Sequence, residues 1–244
     1  MSCNLSDKVI VVGLGQIGKP LFELIADKYD AIGVDIDPAE VSGACYILHV
    51  CYPFDIRDFI GTTSRYMEIY NPRLTIINST VAIGTTRMLH NKTGRPIVHS
   101  PVRGKHAKMR SELLYYTKFI GGTDMNATAT AAEHFKALGM RTMILPSPES
   151  TELAKLTETS YFGLLIAWAQ EVERYCKRVG VDYDDVTSFY SEIKFFPQVK
   201  YFPGVIGGHC VMPNIEILKR TFDSDILEAI KNSDELKAKE VREG

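Results

Sequence analysis

The sequence predicts an α/β fold, in which a doubly wound parallel sheet is followed by a smaller all-helical domain. Three observations predict it. Short apolar runs alternate with helical stretches over the first 147 residues, as in chains that build βαβ units. Pro146-Ser147-Pro148 then ends this alternation. One long stretch with helical spacing of its apolar residues follows. We therefore predict two domains, 1–147 and 148–244.

Seven apolar runs are predicted as strands, because buried parallel strands read as continuous apolar segments. They are Lys8–Val12, Ala31–Asp35, Ile47–Cys51, Leu74–Asn78, Pro96–His99, Phe119–Ile120 and Met140–Leu145. Helices are predicted between them, among others over Gln16–Lys28 and Ala127–Leu138. Right-handed crossovers would make the strands parallel and cover both faces of the sheet.

The second domain begins with a long helix, predicted over Glu149–Val179 and ended by Gly180. Two shorter helices are predicted near Tyr183–Ser191 and Asn214–Asn232, and the charged end 233–244 is expected to fray. The long helix is apolar over much of its surface, so we expect it to pack against its twin in a homodimer. The alternative is a core helix folded against its own sheet.

Composition excludes several classes of protein. A net charge of −2 and 45% hydrophobic residues are ordinary for a soluble globular protein and favour neither nucleic acid nor a membrane surface. No run approaches the roughly 18 apolar residues of a membrane span, and the start shows no secretory signal. Five cysteines without a CxxC pair indicate free thiols in a reducing cytoplasm and no metal site.

The segment Gly13-Leu14-Gly15-Gln16-Ile17-Gly18 matches GxGxxG, between a predicted strand and a predicted helix. Gly13 suits the tight turn, Gly15 lets a pyrophosphate approach, and Gly18 permits close packing of helix and strand. The phosphates would lie at the helix N-terminus, including the Gln16 and Ile17 positions, where free N–H groups favour negative charge. This context favours a Rossmann-type dinucleotide site over a glycine-tolerant turn.

The acidic partner of the ribose is predicted to be Asp35, which ends the second strand 22 residues after Gly13. Its carboxylate would repel a 2′-phosphate, and residues 36–40 contain no Arg to receive one. The cofactor is therefore predicted to be NAD rather than NADP. A merely solvated Asp is the alternative.

A second glycine-rich turn, Phe202–Gly208, leads through His209 to Cys210. Glycines let the backbone approach a bound molecule closely, and a cysteine there can hold an aldehyde while a nicotinamide takes hydride. A lone cysteine is more often a small buried hydrophobe. The glycine-rich setting favours the nucleophile.

Together these motifs resemble the UDP-glucose/GDP-mannose dehydrogenase family, nucleotide-sugar dehydrogenases that oxidise a primary alcohol to a carboxylate. Four segments between about Lys8 and Leu218 carry the resemblance, and the Gly-Gly-His-Cys turn is the most specific. They are Gly13–Gly18 with Val34–Pro38, Asn78–Val81 with Gly84–Thr86, Glu152–Leu156, and Pro203–Cys210.

The resemblance implies catalytic roles. Cys210 would trap an aldehyde as a thiohemiacetal, a second hydride transfer would give a thioester, and water would release the acid. Lys155 would stabilise the oxyanion, and Thr80 would lie near the nicotinamide, with Ser79 beside it. If the resemblance is set aside, a lysine on a helix is usually solvated, and a Ser-Thr pair after a strand often only caps the next helix.

The resemblance also implies residues that line the site. Pro53 would line the cofactor crevice, and Gly207, Gly208 and His209 would line the substrate. For His209, the alternatives are a role in packing or an imidazolium that lowers the pKa of the neighbouring thiol.

The chain departs from the family at three places. Thr159 replaces an Asn that helps to hold the oxyanion, and Asn214 replaces an Asp that assists the water chemistry. An amide is no general base at neutral pH, so thioester hydrolysis is in doubt. The sequence also ends at Gly244, without the C-terminal domain that grips the nucleotide in the family.

A basic loop follows the fifth predicted strand. Arg103, Lys105 and Lys108 stand beyond a strand end, where ligands bind in open sheets. We expect them to bind a phosphate or carboxylate of a small anionic substrate. A solvated basic loop is the alternative.

The sequence thus predicts an NAD-dependent oxidoreductase that oxidises a primary alcohol or aldehyde of a small anionic sugar-like substrate. Two alternatives stay open. One is a two-electron dehydrogenase, similar to the hydroxyacid or 6-phosphogluconate enzymes, that needs no cysteine. The other is a non-catalytic NAD-binding module or subunit.

Overall fold

The computed structural model describes residues 8–35, 44–104, 106–193, 201–207 and 210–243. Lys105, Gly208 and His209 lie outside these ranges, so the predictions for them stay predictions. The chain divides into two compact units, Met1–Lys155 and Leu156–Gly244.

The first unit contains one seven-stranded sheet with the order β2-β1-β3-β4-β5-β6-β7. Its strands are β1 (Lys8–Val12), β2 (Asp30–Val34), β3 (Cys45–Val50), β4 (Leu74–Ile77), β5 (Ile97–His99), β6 (Lys118–Gly122) and β7 (Thr142–Ile144). β2, β1, β3, β4 and β5 are parallel, with Ile10 paired to Ile32 on one side and to Leu48 on the other.

The prediction of an all-parallel sheet was wrong at one place. β6 runs antiparallel to β5, with Val98 opposite Gly122, while β6 and β7 are parallel to each other. The chain leaves β5 and enters β6 at the same edge of the sheet, because residues 100–117 form no crossover that returns it to the opposite edge.

Helices cover both faces of this sheet, which confirms the doubly wound prediction. They are α1 (Gly18–Ala26), α2 (Phe59–Tyr70), α3 (Thr85–Thr93), α4 (Met109–Tyr115) and α5 (Met125–Ala137). Apolar side chains of α1, α4 and α5 form the core on one face, and those of α2 and α3 form the core on the other.

The strand order reverses between β1 and β3. The chain goes from β1 to β2 on one side and then crosses to β3 on the other side of β1. Loops that leave β1 and β3 therefore diverge at the carboxyl edge of the sheet, and this is where open α/β sheets bind ligands. The predicted cofactor loop, Gly13–Gly18, leaves β1 at this point.

The second unit is helical. The long helix α6 (Pro148–Val179) passes the division between the units, and α7 (Tyr183–Ser188), α8 (Val211–Lys219) and α9 (Asp225–Glu243) follow it. Gly180, at a φ of +74°, ends α6 as predicted. A Cβ on Gly163 of α6 would lie 2.7 Å from Val211 and 3.4 Å from Ile230, so α6 packs closely on α8 and α9.

The prediction for the end of the chain was wrong. The segment expected as one helix, Asn214–Asn232, is interrupted between α8 and α9, and the end that was expected to fray is helical to Glu243. Buried Leu227 and Ile230 anchor α9. Ion pairs to Glu173 and Arg174 of α6 hold its charged end. No helix among the described residues is long and apolar enough to cross a membrane.

Candidate active site

The turn after β1 requires glycine at its first position. Gly13 has a φ of +88°, and a Cβ there would lie 2.7 Å from the backbone nitrogen of Tyr52. Its N–H donates to Val34 O at 2.8 Å. An L-residue would therefore be strained in its backbone and would also collide with the loop that leaves β3.

The other two glycines of the loop differ from each other. A Cβ on Gly18 would lie 1.8 Å from Gly13 O, so this position tolerates no side chain and lets α1 begin close to β1. Gly15 is exposed, and a Cβ on it would meet no heavy atom within 4 Å. Packing against the described residues therefore does not explain Gly15, and its predicted role, to let a pyrophosphate approach, stays a prediction.

The remaining predicted cofactor residues border this loop or the neighbouring strand ends. Asp35 is exposed directly after β2, and Pro53 is exposed after β3. Gln16 is exposed, and Ile17 stands at the N-cap position of α1, where no side chain caps the helix. The free N–H groups of α1 and the Asp35 carboxylate fit the phosphates and ribose of a dinucleotide.

A chain of hydrogen bonds ties the ends of β3, β4 and β5 to the start of α6. The Ser79 hydroxyl donates to Tyr52 O at 2.6 Å, and His99 Nε2 donates to Ser79 O at 3.1 Å. His99 Nδ1 then accepts from the Thr151 hydroxyl at 2.7 Å. Burial lowers the pKa of His99 to about 3, so the ring is neutral and this tautomer is fixed. This series of hydrogen bonds orients the backbone that carries Thr80.

The buried carboxylate of Glu152 caps the N-terminus of α3. It accepts from the backbone N–H of Gly84 at 2.7 Å, and from the N–H and hydroxyl of Thr86 at 2.9 and 2.7 Å. Carboxylates stabilise helix N-termini through these otherwise unpaired donors. Thr151 and Glu152 thus fix the helix one turn before Lys155, whose side chain is half-buried.

Lys118 lies buried below the carboxyl ends of β4 and β5. Its ammonium donates to Ser100 O at 2.6 Å, to Asn78 Oδ1 at 3.2 Å and to Pro101 O at 3.4 Å. It also lies 4.8 Å from the centre of the Phe135 ring. Burial, together with the nearby cations Arg103 and Lys155, lowers the pKa of Lys118 to about 7.

Two buried histidines extend this arrangement. Because Asn78 Oδ1 accepts from Lys118, its Nδ2 must face His49 Nδ1, at 3.1 Å. The His49 proton therefore lies on Nε2, which donates to His134 Nε2 at 3.0 Å. That leaves the His134 proton on Nδ1, a buried atom with no hydrogen-bond partner. Burial lowers the pKa of both rings, that of His134 to about 3, so they are neutral.

Cys210 and the two departures from the family lie in the second unit. The Cys210 thiol is exposed, and the residue stands at the N-cap position of α8. Asn214 is buried, and its Nδ2 donates to Thr159 Oγ1 at 3.1 Å. The Thr159 hydroxyl donates to Leu156 O at 3.0 Å. The two replaced positions are therefore paired with each other.

The basic loop is partly engaged within its own unit. The Arg103 guanidinium lies over the rings of Phe119 and Tyr116, at 4.8 and 5.3 Å from their centres, and donates to Thr117 O at 3.0 Å. Lys108 is exposed. Whether this loop binds an anion stays a prediction.

Sequence reasoning missed Lys118 and the two paired histidines. A histidine inside an apolar strand, as His49 is between Leu48 and Val50, was a usable signal, because buried polar groups need partners. A lysine at the start of a strand gives no such signal. No cluster of three potential metal ligands occurs in the described part of the chain.

The fold and the glycine loop define a Rossmann-type α/β protein with a helical second unit. Residues 149–235 match the model of the UDP-glucose/GDP-mannose dehydrogenase family, central domain. This match confirms the predicted resemblance to that family.

Individual relatives extend this similarity beyond the central domain. The chain is 24% identical over 255 residues to the UDP-N-acetyl-D-mannosamine dehydrogenase of Methanococcus vannielii, covering 84% of this chain and 59% of that one. The Pyrococcus horikoshii enzyme of the same name is 29% identical over 259 residues, covering 84% and 62%. The solved UDP-D-ManNAc dehydrogenase of that organism has a TM-score of 0.81 at 21% identity, covering 93% and 68%. The chain thus spans about three fifths of the length of these curated relatives.

Proposed function

We propose that this chain is an NAD-dependent dehydrogenase that oxidises a primary alcohol or aldehyde of an anionic, sugar-like substrate. The observation that carries the proposal is the open surface at Gly15 beside the reversal of strand order, in a chain related to the nucleotide-sugar dehydrogenases. The names of the relatives make a nucleotide sugar such as UDP-N-acetyl-D-mannosamine the first substrate to try.

The first unit would hold the cofactor. Gly13, Gly15 and the N-terminus of α1 suit its pyrophosphate, and the Asp35 carboxylate suits a ribose with a free 2′-hydroxyl. Bound NAD would accept hydride from the substrate carbon, and a second NAD in its place would accept the second hydride. Ser79, fixed through Tyr52 and His99, would position Thr80 beside the cofactor.

Cys210 would supply the nucleophile. Its thiolate adds to the aldehyde carbon, the carbonyl π electrons move to oxygen, and protonation gives a thiohemiacetal. Loss of hydride from that carbon and of the hydroxyl proton leaves a thioester. Water then adds to the thioester, and the C–S bond breaks to give the acid and the thiol. The Lys155 ammonium would stabilise the negative charge on oxygen at each addition.

One observation bears on the last step of this reaction. The Thr159 hydroxyl proton is directed to Leu156 O, and the Asn214 amide cannot accept a proton from water at neutral pH. The last step, thioester hydrolysis, therefore lacks both an extra oxyanion donor and a general base. On this account the chain forms the thioester faster than it releases the acid.

We further propose that the protein is a homodimer in a reducing cytoplasm. The exposed apolar side chains of α6 support the first point. The second is supported by the four described cysteines, all of which are free thiols.

The proposal is tested by following NADH at 340 nm with UDP-N-acetyl-D-mannosamine and with sugar phosphates. We expect the wild type to produce NADH and Cys210→Ser to lose the acid product. Unchanged acid formation by Cys210→Ser would contradict the role of the thiol. NAD binding by calorimetry without any turnover would instead identify a non-catalytic module.

A further inference from the structure

A buried polar cluster in the second unit holds the segment that precedes Cys210. Asp234 of α9 accepts from the backbone N–H of Ile206 at 2.6 Å. Gln170 of α6 donates through Nε2 to Gly204 O at 2.8 Å and to Asp234 Oδ1 at 3.3 Å. Gln170 is completely buried and Asp234 is 9% exposed. Two side chains from different helices thus form hydrogen bonds to the same short stretch of backbone.

The orientation of the Gln170 amide is fixed by its other end. Ser233 donates to Gln170 Oε1 at 2.8 Å, and Arg174 Nη2 donates to Ser233 Oγ at 2.7 Å. Because the guanidinium carries no acceptor, the Ser233 hydroxyl proton points elsewhere, and Gln170 Oε1 at 2.8 Å is a nearer acceptor than Ala167 O at 3.4 Å. Gln170 Nε2 is therefore directed to Gly204 O. The amide would have to break both contacts in order to flip.

The backbone segment to which they bind has no regular structure of its own. Residues 201–207 contain neither helix nor strand, and a glycine is part of them. Fixing such a residue costs conformational free energy, so an ordered position needs external partners. A buried carboxylate that accepts a backbone N–H is among the stronger of such partners.

We propose that Gln170 and Asp234 are positioning residues that hold the backbone before Cys210 and so fix its thiol at the N-terminus of α8. The proposal rests on the proposed role of Cys210 as nucleophile. Neither residue touches the substrate in this account. They act through the backbone of Gly204 and Ile206, and Ser233 and Arg174 support them.

The test compares Asp234→Ala, Asp234→Asn and the control Glu235→Ala, an exposed neighbour on α9. The readout is the rate at which iodoacetamide alkylates Cys210, measured by peptide mass spectrometry. Thiols held at helix N-termini are activated, so we expect Asp234→Ala to slow alkylation about fivefold or more. Asp234→Asn keeps an acceptor for Ile206 N–H and should restore most of the rate. The control should match the wild type.

This readout needs no turnover, so it stays informative if the proposed function fails. Where NADH is formed, Asp234→Ala should lower kcat more than it raises KM. Alkylation of Asp234→Ala at or above the wild-type rate would overturn the proposal. Should that variant fail to fold, Gln170→Ala replaces it, and wild-type alkylation of that variant would overturn the proposal equally.

Discussion

At the scale of single residues, Lys118 is the most unusual feature of the first unit. A buried ammonium is costly unless it is well bonded, and here three oxygens and an aromatic ring surround it. Its proton also sets the direction of the hydrogen bonds through Asn78 to His49 and His134. One titratable group therefore orients a row of neutral side chains below the strand ends.

Lys118 makes the stability of the first unit depend on pH. The unfolded chain binds the proton near the ordinary lysine pKa of 10.5, whereas the folded chain binds it only near pH 7. Between pH 10.5 and pH 7 the unfolded chain binds a proton that the folded chain does not, so the free energy of unfolding falls as the pH falls. Below pH 7 Lys118 is protonated in both states, and its effect on the free energy of unfolding no longer changes with pH. Raising the pH from 7 to 10 should thus stabilise the wild type relative to Lys118→Met by up to about 1.4 kcal/mol per pH unit.

Urea unfolding at pH 7, 8, 9 and 10 checks this expectation. The control is Lys136→Met, since Lys136 is exposed on α5. Its unfolding free energies should follow those of the wild type at every pH. Equal pH slopes for the wild type and Lys118→Met would show that the folded chain keeps the proton on Lys118 throughout.

Asn214 is the residue that limits the release of the acid in the proposed reaction. Replacing it with Asp gives a general base at a position already paired with Thr159. We expect Asn214→Asp to raise the steady-state rate of acid formation by about tenfold or more, within the range of general-base catalysis. Product analysis by mass spectrometry measures it. No gain in acid would show that hydrolysis is not the slow step.

At the scale of elements, α6 has both buried and exposed apolar side chains. Leu156, Val172 and Cys176 are buried within the protein. A second row, spaced three, four or seven residues apart, is exposed on the same helix: Tyr161 at 53%, Leu164 at 38%, Trp168 at 54%, Tyr175 at 46% and Val179 at 72%. Such spacing places these side chains along one face. An exposed apolar row of this kind is typical of an interface.

The predicted homodimer is testable through Trp168, the one tryptophan of the chain. We expect its fluorescence to shift to shorter wavelength as protein concentration rises, because association would bury the ring. Trp168→Glu should sediment as a monomer, and Lys239→Glu, on the exposed part of α9, should not. A wild type that stays monomeric at high concentration would leave the apolar row without this explanation.

The sequence predicted those elements that local physics determines. At Gly13, Gly18 and Gly180 the backbone conformation or the close packing excludes a side chain, so their turns could be predicted from the sequence. The antiparallel direction of β6 could not be predicted, because the direction of a strand depends on the path that the preceding connection takes over the sheet. The continuation of α9 was missed for a similar reason, since its charged end is held by Glu173 and Arg174 of a distant helix.

At the scale of the whole molecule, the chain combines two units with different tasks in the proposed function. The first unit presents a glycine loop suited to a dinucleotide. The second presents the exposed thiol of Cys210, and Gln170 and Asp234 bind the backbone segment that precedes this residue. The polar contacts around Lys118 and around Asp234 were beyond sequence reasoning, because each joins residues far apart in the chain. The glycine loop Gly13–Gly18, by contrast, is local, and its place between a strand and a helix was predicted correctly.

The most direct test of the account is the intact mass of the protein during turnover with NAD and UDP-N-acetyl-D-mannosamine. Because Asn214 is expected to slow thioester hydrolysis, the wild type should accumulate one acyl group per chain, and peptide mapping should place it on Cys210. Asn214→Asp should accumulate less of it, and Cys210→Ser none. NADH formation by the wild type with no adduct, together with full acid formation by Cys210→Ser, would contradict the central claim.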